Sequence, residues 1–167
     1  MLQPQEMKLN LPMVVANNVV STTTKVWNIL VASRNGNLEE VKHLVNECPE
    51  LIYAQYNYTP PIHFAVREGH TGLVKYLLDK GAHDPKYRTY PFSEYLQTIA
   101  EDRNYNEIKL LLEQYVSDPS KQKFKGDNGE IHYNRSELQL EFQEAVNKGS
   151  LSKTEKILKD HPEFVQH

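Results

Sequence analysis

A helix-sized pattern that returns after 33 residues constrains this chain more than any other feature. Placing Ala65 and Gly69 of "TPPIHFAVREGHTGLVKYLLDKGA", residues 59–82, over Ala32 and Gly36 also brings Val74 over Val41 and Leu77 over Leu44. A fixed period of that size signals a repeat architecture. A shift of 113 residues carries "ASRNGNLEEVKHLVNECPEL" onto "AVNKGSLSKTEKILKDHPEF", matching Ala32 with Ala145, Gly36 with Gly149, Leu38 with Leu151, Leu44 with Ile157 and Pro49 with Pro162. Between them, "LQTIAEDRNYNEIKLLLEQY" aligns with the second unit at a shift of 34, Ile108 over Val74, and Arg103 replaces the glycine.

Each unit reads as helix, tight turn, helix. In the second, Ile62, Phe64, Ala65 and Val66 pack one short helix, while Leu73, Val74, Leu77 and Leu78 form the stripe of the other. Gly69 stands where the chain must reverse in a left-handed conformation, and Ala65 is small enough for helices about 8–10 Å apart. Asn37 precedes Glu40, Asn104 precedes Glu107 and Ser136 precedes Gln139 at capping-box spacing. Gly81, Pro49 and Pro162 follow second helices as stops. Helices of about eight or nine residues are marginal alone in water, so neighbouring pairs must bury each other's apolar faces in a solenoid.

The 167 residues suffice for one domain or a short array, and the formal charge of −3 supplies no field that would attract nucleic acid. Cys48 is the only cysteine, which excludes an intramolecular disulfide and a cysteine-based metal site and agrees with a reducing, cytoplasmic setting. No run approaches the roughly 18 apolar residues of a membrane span. "MKLNLPMVVANNVV" falls short of a signal-peptide core, because Pro12 and the Asn17-Asn18 pair interrupt it. Residues 1–23 are rich in Val, Thr and Asn and are expected to form an extended arm that pairs, or lies along the first unit, or stays partly disordered.

"PPIHFAVREGHTGLVKYLLDKGA" resembles one ankyrin repeat, whose pattern runs T-P-L-H-x-A, Gly-His, then L-V-x-x-L-L-x-x-G-A. Pro61, Ile62, His63, Ala65, Gly69, His70, Leu73, Val74, Leu77, Leu78, Gly81 and Ala82 fall on it. Pro60 departs from it, occupying the threonine position and removing a hydroxyl that in the family orders the turn through the histidine. The other three units share only the Ala, Gly and Leu framework, so the resemblance covers roughly residues 24–167. It implies an all-α, ankyrin-type solenoid of about four stacked units (24–57, 58–90, 91–116 and 135–167) with short finger loops and a concave face that holds a protein partner. The longer spacing before the last unit places an inserted loop at 117–134, with Asp118-Pro119 and Asp127-Asn128-Gly129 as turn signals. The chain is either capped by its final half-unit or a fragment of a longer array.

Aromatic composition marks the fingers. Tyr53, Tyr56 and Tyr58 lie between the first two units, and Tyr87, Arg88, Tyr90, Phe92 and Tyr95 between the next two. Exposed Tyr and Arg are effective interface anchors, which makes Tyr53, Tyr56, Tyr58, Tyr87, Arg88 and Tyr90 the candidate partner-binding residues. Phe92 is expected in the core, at the start of a helical pattern. The competing expectation is that these tyrosines seal the fingers against one another.

Catalytic and metal chemistry find no support. The histidines show no H-x-x-x-H pair, and "KGDNGE" has Gln122, Lys123 and Phe124 where a calcium loop needs acidic donors. No phosphate loop, G-x-S-x-G elbow or base-paired cysteine is present. The sequence therefore predicts a protein-binding module, not an enzyme, without cofactor or metal and without nucleic-acid or membrane partners. The alternative is a structural subunit that forms homo-oligomers through the arm and the same fingers.

Overall fold

The computed structural model describes residues 3–16, 18–118 and 137–160. A short helix α1 (Gln5–Lys8) leads into strands β1 (Pro12–Ala16) and β2 (Val19–Thr22), which pair antiparallel with Met13 opposite Ser21 and Val14 opposite Val20. The Val-rich arm thus pairs with itself, one of its expected forms, and these two strands correct the all-α expectation. The register shifts between Val14 and Ala16, and Val14, Val15 and Ala16 are buried against the first unit. Thr22 ends the sheet and starts the array: its side chain accepts the Lys25 N–H at 3.2 Å and caps α2 (Thr23–Asn35).

The units follow as helix pairs. They are α2 with α3 (Leu38–Glu47), α4 (Pro61–Arg67) with α5 (Thr71–Asp79), α6 (Leu96–Asp102) with α7 (Asn106–Val116), and α8 (Glu137–Asn147) with α9 (Leu151–Asp160). First helices stack in the order α2, α4, α6, and α5 packs on α7. Asn37 caps α3 as its spacing predicted, accepting from the Glu40 N–H at 3.1 Å. Pro49 opens a 3-10 turn, Pro49–Tyr53, that fills the space behind α3. One apolar core runs from Val15 to Tyr115 and includes the predicted stripe Leu73, Val74, Leu77 and Leu78. The helices α8 and α9 pack on each other, with Ala145 and Ile157 buried. Most of the inserted loop, with Ser136 and Pro162, lies outside the described residues. Among the described residues no helix is long and apolar enough to cross a membrane.

The same turn closes all four pairs. A backbone N–H returns to the carbonyl of the small residue in the first helix: Asn37 to Ala32 and His70 to Ala65 at 2.9 Å, Tyr105 to Ala100 at 2.8 Å, Ser150 to Ala145 at 2.9 Å. The residue before each donor is left-handed, with φ of 71° at Gly36, 78° at Gly69, 62° at Asn104 and 67° at Gly149. This corrects the third unit's register by one residue. Asn104, not Arg103, stands in the glycine's place, so Asn104 does not cap α7, whose N-cap is Tyr105. Asparagine is the side chain that tolerates this conformation best after glycine.

The turn also carries the stacking contact. A Cβ on Gly36 would lie 2.5 Å from His70 Nδ1, and one on Gly69 would lie 2.8 Å from the Tyr105 ring. The His70 ring also meets the otherwise orphaned Arg34 carbonyl at 2.8 Å through Nε2. At the next junction these two tasks are divided. Tyr105 covers the glycine, and the Arg103 guanidinium donates to the Arg67 carbonyl at 2.9 Å.

Gly69→Ala is expected to destabilise the chain by about 2–3 kcal/mol, the sum of left-handed strain and displacement of the Tyr105 ring. In a Tyr105→Ala background the same change should cost only about 1 kcal/mol, the strain alone. Urea unfolding of the four members of the cycle measures the coupling.

Candidate functional site

The first finger is a two-residue hairpin. Tyr56 and Thr59 exchange N–H to carbonyl bonds at 3.3 and 3.1 Å around Asn57 (φ 50°) and Tyr58 (φ 61°). Positive φ at both central positions is the type I′ geometry that Asn-Gly satisfies without strain. Tyrosine there costs on the order of 1–2 kcal/mol. Its ring is 64% exposed and touches the Tyr90 ring, with centroids 5.8 Å apart at 49°.

The second finger spans Asp84–Tyr95 and closes on itself. Thr89 donates its N–H to the Glu94 carbonyl at 3.0 Å, accepts the Ser93 N–H at 2.7 Å on its own carbonyl, and accepts the Glu94 N–H at 3.0 Å on its hydroxyl. Buried Thr89 thereby projects Tyr90, Pro91, Phe92 and Ser93 into solvent, with Ser93 at φ 56°. Phe92 is 78% exposed, which corrects its expected place in the core: α6 starts only at Leu96, so nothing folds Phe92 inward. The Arg88 guanidinium lies 3.9 Å from the Tyr95 ring centroid and donates to the Tyr95 hydroxyl and, at 3.3 Å, to the Ser93 carbonyl. Between this loop and the helices α4 and α6 runs a groove of about 400 Å³, with Phe64, Tyr90, Phe92 and Ile99 as its apolar walls.

The six candidate residues divide into two groups. Tyr58, Arg88 and Tyr90 are exposed, and Tyr56 is half-buried with its ring edge-on to Trp27 at 5.9 Å. Tyr53 and Tyr87 are buried and cannot be surface anchors. The Tyr53 hydroxyl donates to the Gly81 carbonyl at 3.1 Å, and the Tyr87 hydroxyl meets His63 Nδ1 at 2.8 Å. Burial raises both phenols well above their ordinary pKa. The Tyr87 hydroxyl occupies the role left open by Pro60, for it reaches the histidine from the following finger instead of from the turn. Sequence reasoning missed Phe92 as a surface residue, although the preceding Tyr90-Pro91, an extended or turn dipeptide, was a usable signal that the helix starts later.

Among the described residues no group of three or more His, Cys, Asp or Glu could hold a metal ion. Residues 13–89, the hairpin with the first two helix pairs and part of the second finger, match the family model of ankyrin repeats (3 copies). That segment of the chain is made of ankyrin repeats. No curated protein matches its sequence. Ankyrin repeats are in general protein–protein interaction modules and typically not enzymes.

The two groups of tyrosines should respond differently to substitution. Tyr53→Phe leaves the Gly81 carbonyl, and Tyr87→Phe leaves His63 Nδ1, without its hydroxyl partner, and each should lower unfolding free energy by about 1–3 kcal/mol. Tyr90→Phe, at an exposed tip, should change it by less than about 0.5 kcal/mol. Thermal or urea unfolding followed by circular dichroism distinguishes them.

Proposed function

We infer that this ankyrin array binds a protein partner through the aromatic tips of its fingers, Tyr58, Tyr90 and Phe92 with Arg88, and the groove behind them. One observation carries the reading: an exposed tyrosine occupies a strained left-handed position where glycine would cost less. Tyr58 contributes nothing to the core, and strain held at a solvent-facing aromatic is the signature of a residue kept for contact. Rigid aromatic rings lose little entropy on binding, which makes such a cluster an efficient anchor.

Self-association through the arm is the weaker reading, because the arm's apolar residues Val14, Val15 and Ala16 are already buried in the hairpin. The free thiol of Cys48, whose pKa burial and the Glu50 carboxylate raise, accords with a reducing, cytoplasmic setting. Mass measurement in solution at micromolar concentration should return a monomer.

Tyr58→Gly tests the functional reading, since a structural role and a binding role predict opposite signs. It should stabilise the fold by about 0.5–1 kcal/mol, because glycine relieves the strain. Partners captured from native lysate by the parent chain should at the same time be depleted at least tenfold, and likewise with Tyr90→Ala. Retention of the captured partners by both variants would remove the fingers from the interface.

A further inference from the structure

The second finger is tied to the array by two imidazoles, His63 half-buried and His83 fully buried. His63, on α4, meets the Tyr87 hydroxyl near the middle of the loop at 2.8 Å. His83 stands at the loop's root, 1% exposed, and neither ring nitrogen has a hydrogen-bond partner among the described residues. Its ring packs 5.8 Å from that of Tyr115 on α7, and its carbonyl accepts the Tyr115 hydroxyl at 2.8 Å. Two residues earlier, the Gly81 carbonyl accepts the Tyr53 hydroxyl from the 3-10 turn. An apolar side chain would satisfy the His83 site better, and a buried ring that gives up hydrogen bonds to water invites a reason beyond packing.

We propose that His63 and His83 form an acid-labile clasp on the second finger: protonation of both rings opens the loop from His83 to Tyr95 as one unit, while the helix pairs stay folded. The proposal rests on the finger being the binding surface only for its biological meaning; the opening itself does not depend on it. Both rings resist a proton in place. Among the described residues His83 has no acceptor to receive a second N–H, and His63 faces the Arg67 guanidinium on its own helix. Burial pushes both groups down to about 4, with Arg67 adding to the effect at His63.

The surrounding groups do not offset this. Around His83 stand Tyr115 from α7 and, next in the chain, Asp84, while Tyr53 from the 3-10 turn bonds two residues earlier at Gly81, and burial is the sole cause of the His83 shift. Around His63 stand Tyr87 and Glu94 from the finger, Asp102 from α6, and Arg103, with Glu94 and Asp102 lining the same groove without acting on the imidazole. The sign follows from linkage. An exposed histidine binds its proton below about 6.5, whereas these two hold none in the closed state until about 4. Opening therefore becomes easier as pH falls through that interval, and is insensitive to pH above it.

Native-state hydrogen exchange on the full chain, followed residue by residue by NMR between pH 6 and 4.5, reads this directly. Each histidine exposed in an opening event raises its equilibrium constant about tenfold per pH unit. After correction for intrinsic exchange, the amides of Tyr87, Thr89, Ser93 and Glu94 should open about 100-fold more per unit of pH lost. The His70 and Lys109 amides, bonded within turns of the array, should not follow. In His83→Leu, and independently in His63→Gln, the slope should fall to about tenfold per unit; in Glu94→Gln with Asp102→Asn it should not change. A pH-independent loop, a slope untouched by both histidine variants, or one slope shared by all amides of the chain would each overturn the clasp. Because no partner enters the measurement, its failure is distinct from a failure of the binding reading.

Discussion

The array depends on a turn in which one residue is left-handed and, at the first two junctions, has no side chain. Gly36 and Gly69 satisfy two demands at once: the chain reverses cheaply only with φ positive, and the ring from the next pair comes closer than any Cβ would permit. The incoming side chain has two tasks, covering the glycine and closing the last carbonyl of the first helix. His70 performs both. At the following junction Tyr105 covers and Arg103 bonds, so a unit with a degenerate sequence still stacks in the same way. The third unit keeps the physics of the motif while exchanging its residues.

This explains what was legible in the sequence. The apolar stripes and the turn glycines were readable because helical period and positive φ leave strong residue preferences. The glycine pattern places the third unit's turn one residue early, because the turn requires the left-handed conformation and not glycine itself, and Asn104 supplies it. The tyrosines resisted reading for a different reason. Tyr53 and Tyr115 spend their hydroxyls on carbonyls 28 and 32 residues away, and no local pattern announces a bond of that span. Tyr58 and Tyr90 stand instead at exposed loop tips, with their rings against each other. Whether a finger tyrosine is a strut or an anchor is decided by the acceptor opposite it.

The two fingers are fixed in different currencies of stability. The first is held by its own backbone exchange around a strained pair of residues, and it tolerates the strain because the Tyr56 ring rests against Trp27. The second has no regular secondary structure and depends on polar bonds at buried and half-buried positions: His63 with Tyr87, Tyr115 with the His83 carbonyl, and the Thr89 closure. Such bonds contribute on the order of 1 kcal/mol each, far less than the continuous apolar core beneath the stacked helices.

An order of stability follows from that difference. The core from Val15 to Tyr115 is a shared apolar volume whose disruption exposes several units together. The second finger can leave it by breaking a handful of hydrogen bonds and exposing two neutral rings, with the first helices still stacked α2 on α4 on α6. The exposed aromatic tip is therefore carried by the element that can move at least cost to the scaffold. A surface placed there is presented rigidly while the imidazoles are neutral, and its presentation is separable from the integrity of the solenoid that bears it.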